Sequence, residues 1–232
     1  MSRTAMIVDV LEPIALVGGA NVSRELLLDT VARAPVLVAA DSGADQALAA
    51  GITPRAVIGD LDSLSAAGRA ALPEAVIHHI AEQDSTDFDK ALRNIAAPVV
   101  LGVGFLGDRL DHQLAVLHVL VKYPERAVVL LDETTAVFVC PPQISLPCVA
   151  GQVVSLFPLG PVTGTSRGLR WPIDGITLDP MQRVGTSNEA TGPVTLQVDA
   201  PRLIVMVPRV LLGAVTEALL SVPQAGRWPA RA

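Results

Sequence analysis

The sequence has only two cysteines, Cys140 and Cys148, among its 232 residues. Each stands next to a proline, and neither has a second Cys or a His pair at the spacing that metal ligands require. The sequence therefore indicates neither a zinc site nor a disulfide framework. We expect a protein of the reducing cytoplasm.

Basic residues are also scarce. The sequence has 17 Lys and Arg and 23 Asp and Glu, which gives a formal net charge of −6. A surface that binds nucleic acid or an anionic membrane needs a basic stripe to neutralise phosphates. The sequence contains no such stripe. We therefore expect a small-molecule substrate and no nucleic-acid partner.

Long hydrophobic runs are missing as well. The most apolar C-terminal stretch, residues 203–222, is interrupted by Pro208, Arg209 and Glu217. It falls short of the roughly 20 apolar residues that a membrane span needs, and it is typical of a buried strand followed by a short helix. The N-terminal stretch contains Asp9 and Glu12 where a signal peptide needs an apolar core. We expect neither a membrane span nor a leader segment.

Short apolar runs alternate with helical patterns from Pro13 to about Cys140. Strands that are apolar throughout, each followed by a helix, indicate a mainly parallel sheet with helices on both faces. Ser23 and Thr86 stand where the N-caps of two helices are expected. The sequence thus predicts an α/β fold for this part of the chain.

The texture changes after the adjacent prolines Pro141 and Pro142. The chain becomes rich in Gly, Pro and Thr, with short alternating segments such as GQVVSLFPL and PVTLQVD. Adjacent prolines disfavour both a helix and a central strand, so they mark a boundary. We predict an α/β domain at residues 1–142, followed by a small C-terminal β-sandwich-like domain at residues 143–232.

Aspartates recur directly after the apolar runs of the first domain. In an open parallel sheet, ligands bind outside the carboxyl ends of the strands. A single Asp at such a place is more often a turn former or a helix cap than a ligand. Several carboxylates at one edge would repel each other unless a hard cation lies among them, which indicates Mg²⁺ and phosphate chemistry. The aspartates concerned are Asp41, Asp60, Asp62, Asp84, Asp87 and Asp111.

Two cationic residues accompany these aspartates. Lys90 stands one turn past Asp87, and Arg109 stands between Gly107 and Asp111. Both are placed to bind phosphate oxygens, Lys90 as a point charge and Arg109 as a fork. Arg109 alternatively pairs with Asp108 or Asp111, as surface arginines commonly do.

Known phosphate-binding motifs narrow the choice of chemistry. The P-loop pattern G-x-x-x-x-G-K-[ST] does not occur. Gly102, Gly104 and Gly107 match G-x-G-x-x-G after an apolar strand, which is the context of a dinucleotide-binding loop. This motif stands at the fifth strand instead of the first, and it leaves the acidic positions without a role. A dinucleotide-dependent oxidoreductase is therefore kept as an alternative.

Three segments stand in a fixed order between Ala39 and His112: AADSGADQALAAGITPRAVIGDLDS, QDSTDFDKAL and GDRLDH. In this order they closely resemble the catalytic domain of thiamine pyrophosphokinases. The family's first motif usually reads Asp-Gly-Gly where this chain has Asp41-Ser42-Gly43, and the family has a glycine pair where this chain has Gly107-Asp108. The resemblance implies transfer of pyrophosphate from ATP to the hydroxyl of thiamine with Mg²⁺, giving thiamine diphosphate and AMP.

The resemblance also implies roles for individual residues. It implies catalysis by Asp60, Asp62, Asp87, Lys90 and Arg109. It implies metal binding by Asp60, Asp62, Asp84 and Asp87. It implies nucleotide binding by Asp41, Ser42, Gly43, Gln83, Thr86, Lys90, Arg109, Asp111 and His112. Within the last set, Asp111 and His112 are expected to support Arg109 and not to react.

The second module contains SRGLRWPIDGITLDP followed by GTSNEATGPVTL, and this part resembles the thiamine-binding portion of the family. The resemblance implies substrate binding by Trp171, Ser187 and Asn188. A cationic aromatic ligand stacked on the Trp171 ring would gain about 0.5–2 kcal/mol by cation–π attraction. Ser187 and Asn188 offer polar groups to a ring edge. The alternative makes Trp171 an ordinary core residue and Ser187-Asn188 a turn.

The resemblance leaves two other functions open and also implies an assembly state. Enzymes that pyrophosphorylate a pterin share the catalytic motifs, so a pterin substrate is an alternative to thiamine. A sensor that binds a nucleotide or thiamine without turnover is another. The resemblance further implies a homodimer with the thiamine site formed between subunits.

Overall fold

The computed structural model describes residues 6–222 and 226–230. The expectation about a leader segment partly concerns residues 1–5, which lie outside this range. The strands are β1 (Val8–Asp9), β2 (Ile14–Val17), β3 (Val36–Ala40), β4 (Ala56–Gly59), β5 (Ile77–His79), β6 (Ile95–Ala96), β7 (Val100–Val103), β8 (Val128–Leu131), β9 (Thr135–Val139), β10 (Gln143–Leu146), β11 (Val153–Pro158), β12 (Val162–Leu169), β13 (Thr177–Leu178), β14 (Gly185–Val198) and β15 (Leu203–Pro208). The α-helices are α1 (Arg24–Arg33), α2 (Gly43–Ala49), α3 (Ala66–Ala71), α4 (Asp87–Asn94), α5 (Leu110–Lys122) and α6 (Leu212–Ser221). Two short 3₁₀ helices lie at Glu74–Val76 and Arg209–Leu211.

The chain folds into two compact units. The first extends to Val119 and takes in Leu130–Glu133, and the second comprises Leu120–Val129 and the chain from Thr134 onward. Our assignment of residues 1–142 to a catalytic domain and of residues 143–232 to a thiamine-binding domain stays a prediction.

The first unit is built on short apolar strands paired in parallel. Strand β2 pairs with β7, and β3 pairs with β4, which in turn pairs with β5. Every residue of β2, β4 and β7 is buried, as expected for strands covered on both faces. The predicted α/β character is confirmed.

The prediction of a mainly parallel sheet in this unit needs a correction, because the sheet is mixed. An antiparallel bridge joins Ile14, at the start of β2, to Pro35, just before β3. The physical reason is that an apolar run shows that a strand is buried and does not show its direction.

Two helix starts follow the capping pattern of the sequence. The Ser23 hydroxyl accepts a hydrogen bond from Leu26 N–H at the start of α1, and the Thr86 hydroxyl accepts one from Asp89 N–H at the start of α4. Each cap satisfies an amide that the helix itself leaves unpaired. The predicted N-caps are confirmed, and the Thr86 cap fixes the helix that carries Asp87 and Lys90.

The second unit is an antiparallel sheet organised by the long strand β14. Its first half pairs with β11, and its second half pairs with β10 and β12. Strand β11 also pairs with β15, which pairs with β9. The predicted C-terminal β-rich module is confirmed as a sheet domain, while its two-sheet sandwich form stays a prediction.

The two cysteines lie in this second unit, and both are free and buried. Burial raises the pKa of the Cys140 thiol to about 12. The indole N–H of Trp228 donates a hydrogen bond to the Cys140 carbonyl at 2.8 Å. Across residues 6–222 and 226–230, none of the helices has the length and apolar character needed to cross a bilayer.

Candidate functional site

A cleft of about 460 Å³ opens in the first unit where the parallel strands end. Its walls come from the loop after β2, the turn after β3, the loop before α4 and the loop after β7. Because parallel strands direct their carboxyl ends to one edge, residues far apart in the sequence meet there. The predicted residues that line it are Asp41, Ser42, Asp60, Gln83, Thr86, Asp87, Lys90, Arg109 and His112. We call this opening the acidic cleft.

Lys90 lies at the centre of the acidic cleft, with only 1% of its side chain exposed. Its ammonium donates to Asp60 Oδ2 at 2.8 Å and to Asp87 Oδ1 at 3.1 Å. Burial alone would lower the pKa of Lys90, but the hydrogen bonds to Asp60 and Asp87 outweigh it and the pKa is raised. The ammonium therefore keeps its charge at neutral pH.

The two carboxylates that receive Lys90 are tied to each other and to the next loop. Asp60 N–H donates to Asp87 Oδ1 at 3.4 Å, and the Gln83 amide donates to Asp60 Oδ2 at 3.1 Å. The hydrogen bond from Lys90 lowers the pKa of Asp60, against the opposing effect of burial. Asp60 is therefore ionised, and its orientation is fixed by several donors.

Asp41 approaches the same group from the end of β3. The residue is 4% exposed, and its Oδ1 is buried without a hydrogen-bond partner. Burial raises the pKa of Asp41, and the nearby charge of Asp87 raises it further. A buried carboxylate oxygen without a partner is costly, so a cation beside it would relieve the cost.

Asp41, Asp60 and Asp87 form the candidate metal site of the acidic cleft. One carboxylate oxygen from each lies within 4.8 Å of the others, and oxygen donors of this kind suit Mg²⁺. Two other predicted ligands, Asp62 and Asp84, are not members of this group in the part of the chain that the structure describes. Asp62 is exposed and accepts a hydrogen bond from the Ser63 hydroxyl, and exposed Asp84 donates its N–H to Glu82.

Glu82 organises the loop before α4, and the sequence reasoning did not identify it. Its carboxylate accepts hydrogen bonds from the Ser85 hydroxyl, from the Arg93 guanidinium and from Asp84 N–H. The hydrogen bond from Ser85 is the largest cause of a lowered Glu82 pKa. Asp84 and Ser85 belong to the loop itself, and Arg93 belongs to α4. Their spacing in the sequence does not show that they meet at Glu82. The loop that presents Gln83 and Thr86 is thereby held in one shape.

Arg109 lies at the exposed rim of the acidic cleft. Its guanidinium donates to both oxygens of Asp111, at 3.2 and 2.6 Å. This hydrogen bonding lowers the pKa of Asp111 to about 2. Asp111 itself is not among the residues that line the cleft, whereas His112 is. Asp111 is thus paired with Arg109, and its role in supporting Arg109 at the nucleotide stays a prediction.

Glycines allow the strand ends at the cleft to approach closely. A Cβ on Gly18 would lie 2.5 Å from the Gly104 carbonyl, and a Cβ on Gly43 would overlap the Val17 carbonyl. Gly43 thus packs α2 against β2 behind the cleft wall instead of lining it. Gly18 and Gly19 line the cleft although the sequence reasoning did not select them. The available signal was a glycine pair directly after a buried strand.

Close packing explains two of the three glycines that match the dinucleotide-binding motif G-x-G-x-x-G. Gly102 lies inside β7, where a Cβ would meet the Leu130 side chain at 2.7 Å. Gly104 has a φ of +72° and approaches the Gly18 carbonyl. A dinucleotide loop places its first glycine in the turn after the strand, so the oxidoreductase alternative is not supported.

In the second unit, Asn188 and Trp171 are held together. The Asn188 side-chain oxygen accepts from Trp171 N–H at 3.2 Å, and its amide donates to the Trp171 carbonyl at 2.7 Å. Asn188 is 5% exposed, while Trp171 is 55% exposed. Trp171 is thus not a core residue, and buried Asn188 fixes the backbone from which the ring projects.

The surroundings of Trp171 are polar. The Arg170 guanidinium lies 5.0 Å from the centre of the Trp171 ring and 3.4 Å from a Glu189 oxygen. Ser187 is exposed with a φ of 60°, and its N–H donates to the Ser155 hydroxyl at 2.9 Å. A Trp ring with a cation close by and a polar rim is suited to stacking with a planar ligand.

Two family models match the chain in order. The first is described as thiamin pyrophosphokinase, catalytic domain, and matches residues 27–131. The second is described as thiamin pyrophosphokinase, vitamin B1 binding domain, and matches residues 143–203. The acidic cleft residues Asp41, Asp60 and Lys90 fall within the first match, and Trp171 and Asn188 within the second.

Individual relatives agree with these matches. The chain is 27% identical to thiamine pyrophosphokinase 3 of Oryza sativa subsp. japonica, over 63% of this chain and 63% of that protein. It is 30% identical to thiamine pyrophosphokinase 1 of Arabidopsis thaliana, over 49% and 48%. The chain thus spans less than two thirds of the length of these relatives.

Solved structures share the fold. A thiamin pyrophosphokinase from Candida albicans superposes with a TM-score of 0.71 at 14% identity, over 90% of this chain and 96% of that one. A thiamin pyrophosphokinase from Geobacillus thermodenitrificans gives a TM-score of 0.68 at 24% identity, over 84% and 96%.

Proposed function

Because this chain belongs to the thiamin pyrophosphokinase family, we propose that it transfers pyrophosphate from ATP to the hydroxyl of thiamine, giving thiamine diphosphate and AMP. The observation that carries the proposal is the ordered match of the two family models, the first of which contains the acidic cleft. A pterin substrate and a sensor without turnover are the outcomes that the experiment below separates from it.

The nucleotide binds in the acidic cleft in this proposal. Lys90 supplies a buried positive charge to the phosphates, and Arg109 supplies a second one at the rim. Asp41, Ser42, Gln83, Thr86 and His112 surround the nucleotide, while Asp111 orients Arg109. The support for this assignment is that a single opening carries both cations and the polar side chains.

Asp60 and Asp87 do two things in this scheme. They hold Lys90, and together with Asp41 they would hold Mg²⁺, which when bound would supply positive charge near the phosphoryl oxygens. The unpartnered Asp41 oxygen and the three converging carboxylates support this fit. The proposed metal-binding set also includes Asp62 and Asp84, which are exposed and would reach the ion directly or through water.

The chemical step is an in-line displacement. The thiamine hydroxyl attacks the β-phosphorus of ATP and releases its proton, the bond from that phosphorus to the bridging α-phosphate oxygen breaks, and AMP leaves with that oxygen. The protein contributes mainly by positioning the reactants and by stabilising charge. Lys90 and Arg109 are suited to the charges on the phosphoryl group.

Thiamine binds to the second unit in this proposal. Trp171 offers its ring to the cationic vitamin, Asn188 holds that ring in place, and Ser187 offers a hydroxyl to a polar ring edge. The vitamin B1 binding match over residues 143–203 supports this assignment. We further propose a cytoplasmic homodimer with the vitamin site between subunits. Sedimentation equilibrium tests the dimer.

The decisive experiment incubates purified protein with ATP, Mg²⁺ and thiamine and follows AMP and thiamine diphosphate together. A parallel reaction contains hydroxymethyl-dihydropterin, and an Asp60→Asn variant is the control. Stoichiometric AMP and thiamine diphosphate that disappear in the variant are the expected result. A Trp171→Leu variant should raise the KM for thiamine and leave the KM for ATP unchanged, with Trp228→Phe as its matched control.

Other outcomes identify the alternatives. Product from the pterin alone would retain the pyrophosphoryl chemistry and refute the assignment of Trp171, Ser187 and Asn188. Binding of thiamine or ATP without any AMP would indicate a sensor and contradict the enzyme proposal.

A further inference from the structure

Two loops of the first unit are joined by hydrogen bonds beyond the ends of β2 and β7. Gly18 N–H donates to the Val103 carbonyl at 2.8 Å, and Ala20 N–H donates to the Gly104 carbonyl at 2.9 Å. These bonds continue the parallel ladder that pairs β2 with β7. The floor of the acidic cleft is therefore a backbone structure shared by the two loops.

The next bond in this line is made by a side chain. Asn21 N–H donates to Asp108 Oδ2 at 3.0 Å, although the two residues are 87 positions apart in the sequence. Asp108 directly precedes Arg109, and both line the acidic cleft. The Asp108 carboxylate thus takes the place of a backbone carbonyl at the rim of the cleft.

The backbone of Asp108 is unusual for a residue with a side chain. Its φ is 55°, and Gly107 before it has a φ of 101°. The left-handed region is costly for most residues and is tolerated best by Gly, Asn and Asp. Asp108 is exposed, so burial does not offset the cost, whereas the hydrogen bond to Asn21 does.

We propose that Asp108 is a positioning residue for nucleotide binding. Its bond to Asn21 holds the loop that carries Arg109 in place before the nucleotide arrives. Asp111 restrains the side chain of Arg109, because both Asp111 carboxylate oxygens accept hydrogen bonds from the Arg109 guanidinium. One aspartate fixes the backbone at Arg109, and the other fixes its guanidinium. The proposal rests on the proposed function in taking a nucleotide as the ligand of the cleft.

The hydrogen bond between Asn21 and Asp108 favours nucleotide binding because it orders the loop in advance. A loop that must be ordered on binding weakens the apparent affinity for the ligand, and a loop ordered beforehand avoids this loss. The negative charge of Asp108 itself opposes the approach of phosphates. The acceptor oxygen and the charge of Asp108 therefore act in opposite directions, and substitutions separate them.

Two substitutions at this position form a matched pair. Asp108→Gly removes the acceptor and keeps the left-handed backbone, while Asp108→Asn keeps an acceptor oxygen and removes the charge. In the full-length protein, amide hydrogen exchange at Asn21 reports whether the bond exists. Titration calorimetry with ATP and Mg²⁺ in the absence of thiamine gives the nucleotide affinity without turnover.

Asp108→Gly should speed exchange at Asn21 and weaken ATP binding on the order of three- to tenfold, as expected for the loss of one solvent-exposed hydrogen bond. The KM for ATP should rise with it, while kcat and the KM for thiamine stay unchanged. Asp108→Asn should keep Asn21 protected and bind ATP as tightly as the wild type or more tightly. This rescue would not occur if Asp108 acted only through its charge.

Three results would overturn the proposal. The first is unchanged exchange at Asn21 in Asp108→Gly. The second is a loss of ATP affinity in Asp108→Asn that equals the loss in Asp108→Gly. The third is a lower kcat with an unchanged KM for ATP, which indicates a smaller fraction of folded protein. Wild-type protein that binds ATP without making thiamine diphosphate would refute the proposed function, and the exchange and calorimetric results would still decide the role of Asp108.

Discussion

Lys90 and Asp60 form an ion pair at 2.8 Å in which 1% of the lysine side chain and 11% of the aspartate side chain are exposed. The pair comes from two separate elements, since Asp60 follows β4 and Lys90 lies in α4. A buried charge of this kind needs its partner, because an unpaired charge in the interior is far less stable than a paired one. The pair links the stability of the first unit to its chemistry.

Replacement of Lys90 by Met should therefore lower both stability and activity. It leaves Asp60 and Asp87 facing each other without their cation, and we expect the free energy of unfolding to fall by about 3–5 kcal/mol. AMP formation should drop by at least about 100-fold, since a charge near the phosphoryl group is lost. Urea denaturation and the AMP assay measure the two effects.

The matched control is Lys122→Met, at the other lysine of the sequence. Lys122 lies near the Tyr123 ring and outside the acidic cleft. Its replacement should leave the rate of AMP formation unchanged. Equal loss of activity in both variants would show that Lys90 has no special role.

Asp41 should determine part of the response of the protein to Mg²⁺. In the wild type, bound Mg²⁺ would stabilise the fold by linkage and raise the Tm. Asp41→Asn keeps the size of the side chain and tolerates the φ of 47°, but it lacks the charge. The increase of Tm on addition of Mg²⁺ should be smaller in this variant, as thermal unfolding with and without the metal would show.

Asp45→Asn provides the comparison for this measurement. The Asp45 carboxylate accepts hydrogen bonds from Ser65 N–H and from the Ser65 hydroxyl, and it is not a member of the group formed by Asp41, Asp60 and Asp87. Its replacement should lower the Tm by a similar amount with and without Mg²⁺. A full Mg²⁺ response in Asp41→Asn would exclude Asp41 from the metal site.

Asn188 should matter for stability and Ser187 should not. Asn188→Ala removes the hydrogen bonds to the Trp171 backbone and leaves buried groups unpaired, which costs about 1–3 kcal/mol for each such group. Ser187→Gly keeps the left-handed backbone and removes only the exposed hydroxyl. We expect a lower urea midpoint for Asn188→Ala and an unchanged or higher one for Ser187→Gly. A lower urea midpoint for Ser187→Gly than for Asn188→Ala would contradict a stabilising role for the hydrogen bonds between Asn188 and the Trp171 backbone.

The thiols of Cys140 and Cys148 should be unreactive in the folded protein. Both are buried, and burial raises the pKa of Cys140 to about 12, so the reactive thiolate is scarce at neutral pH. Iodoacetamide at pH 8 should label neither cysteine until urea unfolds the chain, when both should react. Rapid labelling of Cys140 without urea, detected by mass spectrometry, would show that this part of the second unit opens readily.

Much of the fold follows from the sequence, and the exceptions have physical causes. The apolar runs identify β2, β4 and β7 because a strand buried on both faces has no polar side. The direction of pairing is decided by contacts far apart in the chain, so the bridge between Ile14 and Pro35 is not visible in the sequence. The helix starts at Ser23 and Thr86 are visible because a cap is a local interaction.

The candidate site divides in the same way. The position of Asp41, Asp60 and Asp87 at one edge follows from the rule for parallel strands. Which carboxylates join the group depends on the shape of the loops, and the group of Asp41, Asp60 and Asp87 does not include Asp62 or Asp84 among the described residues. Glu82 itself is recognised only when its three donors are seen together, and no spacing rule brings them to one place.

The exposed ring of Trp171 has an optical consequence. The sequence contains two tryptophans, and the indole N–H of Trp228 is bound to the Cys140 carbonyl. Trp171 is 55% exposed, so it emits at a longer wavelength and responds to whatever stacks on its ring. The fluorescence of the unlabelled protein is therefore a ready reporter of ligand binding at the second unit, and a Trp228→Phe background would leave Trp171 as its single source.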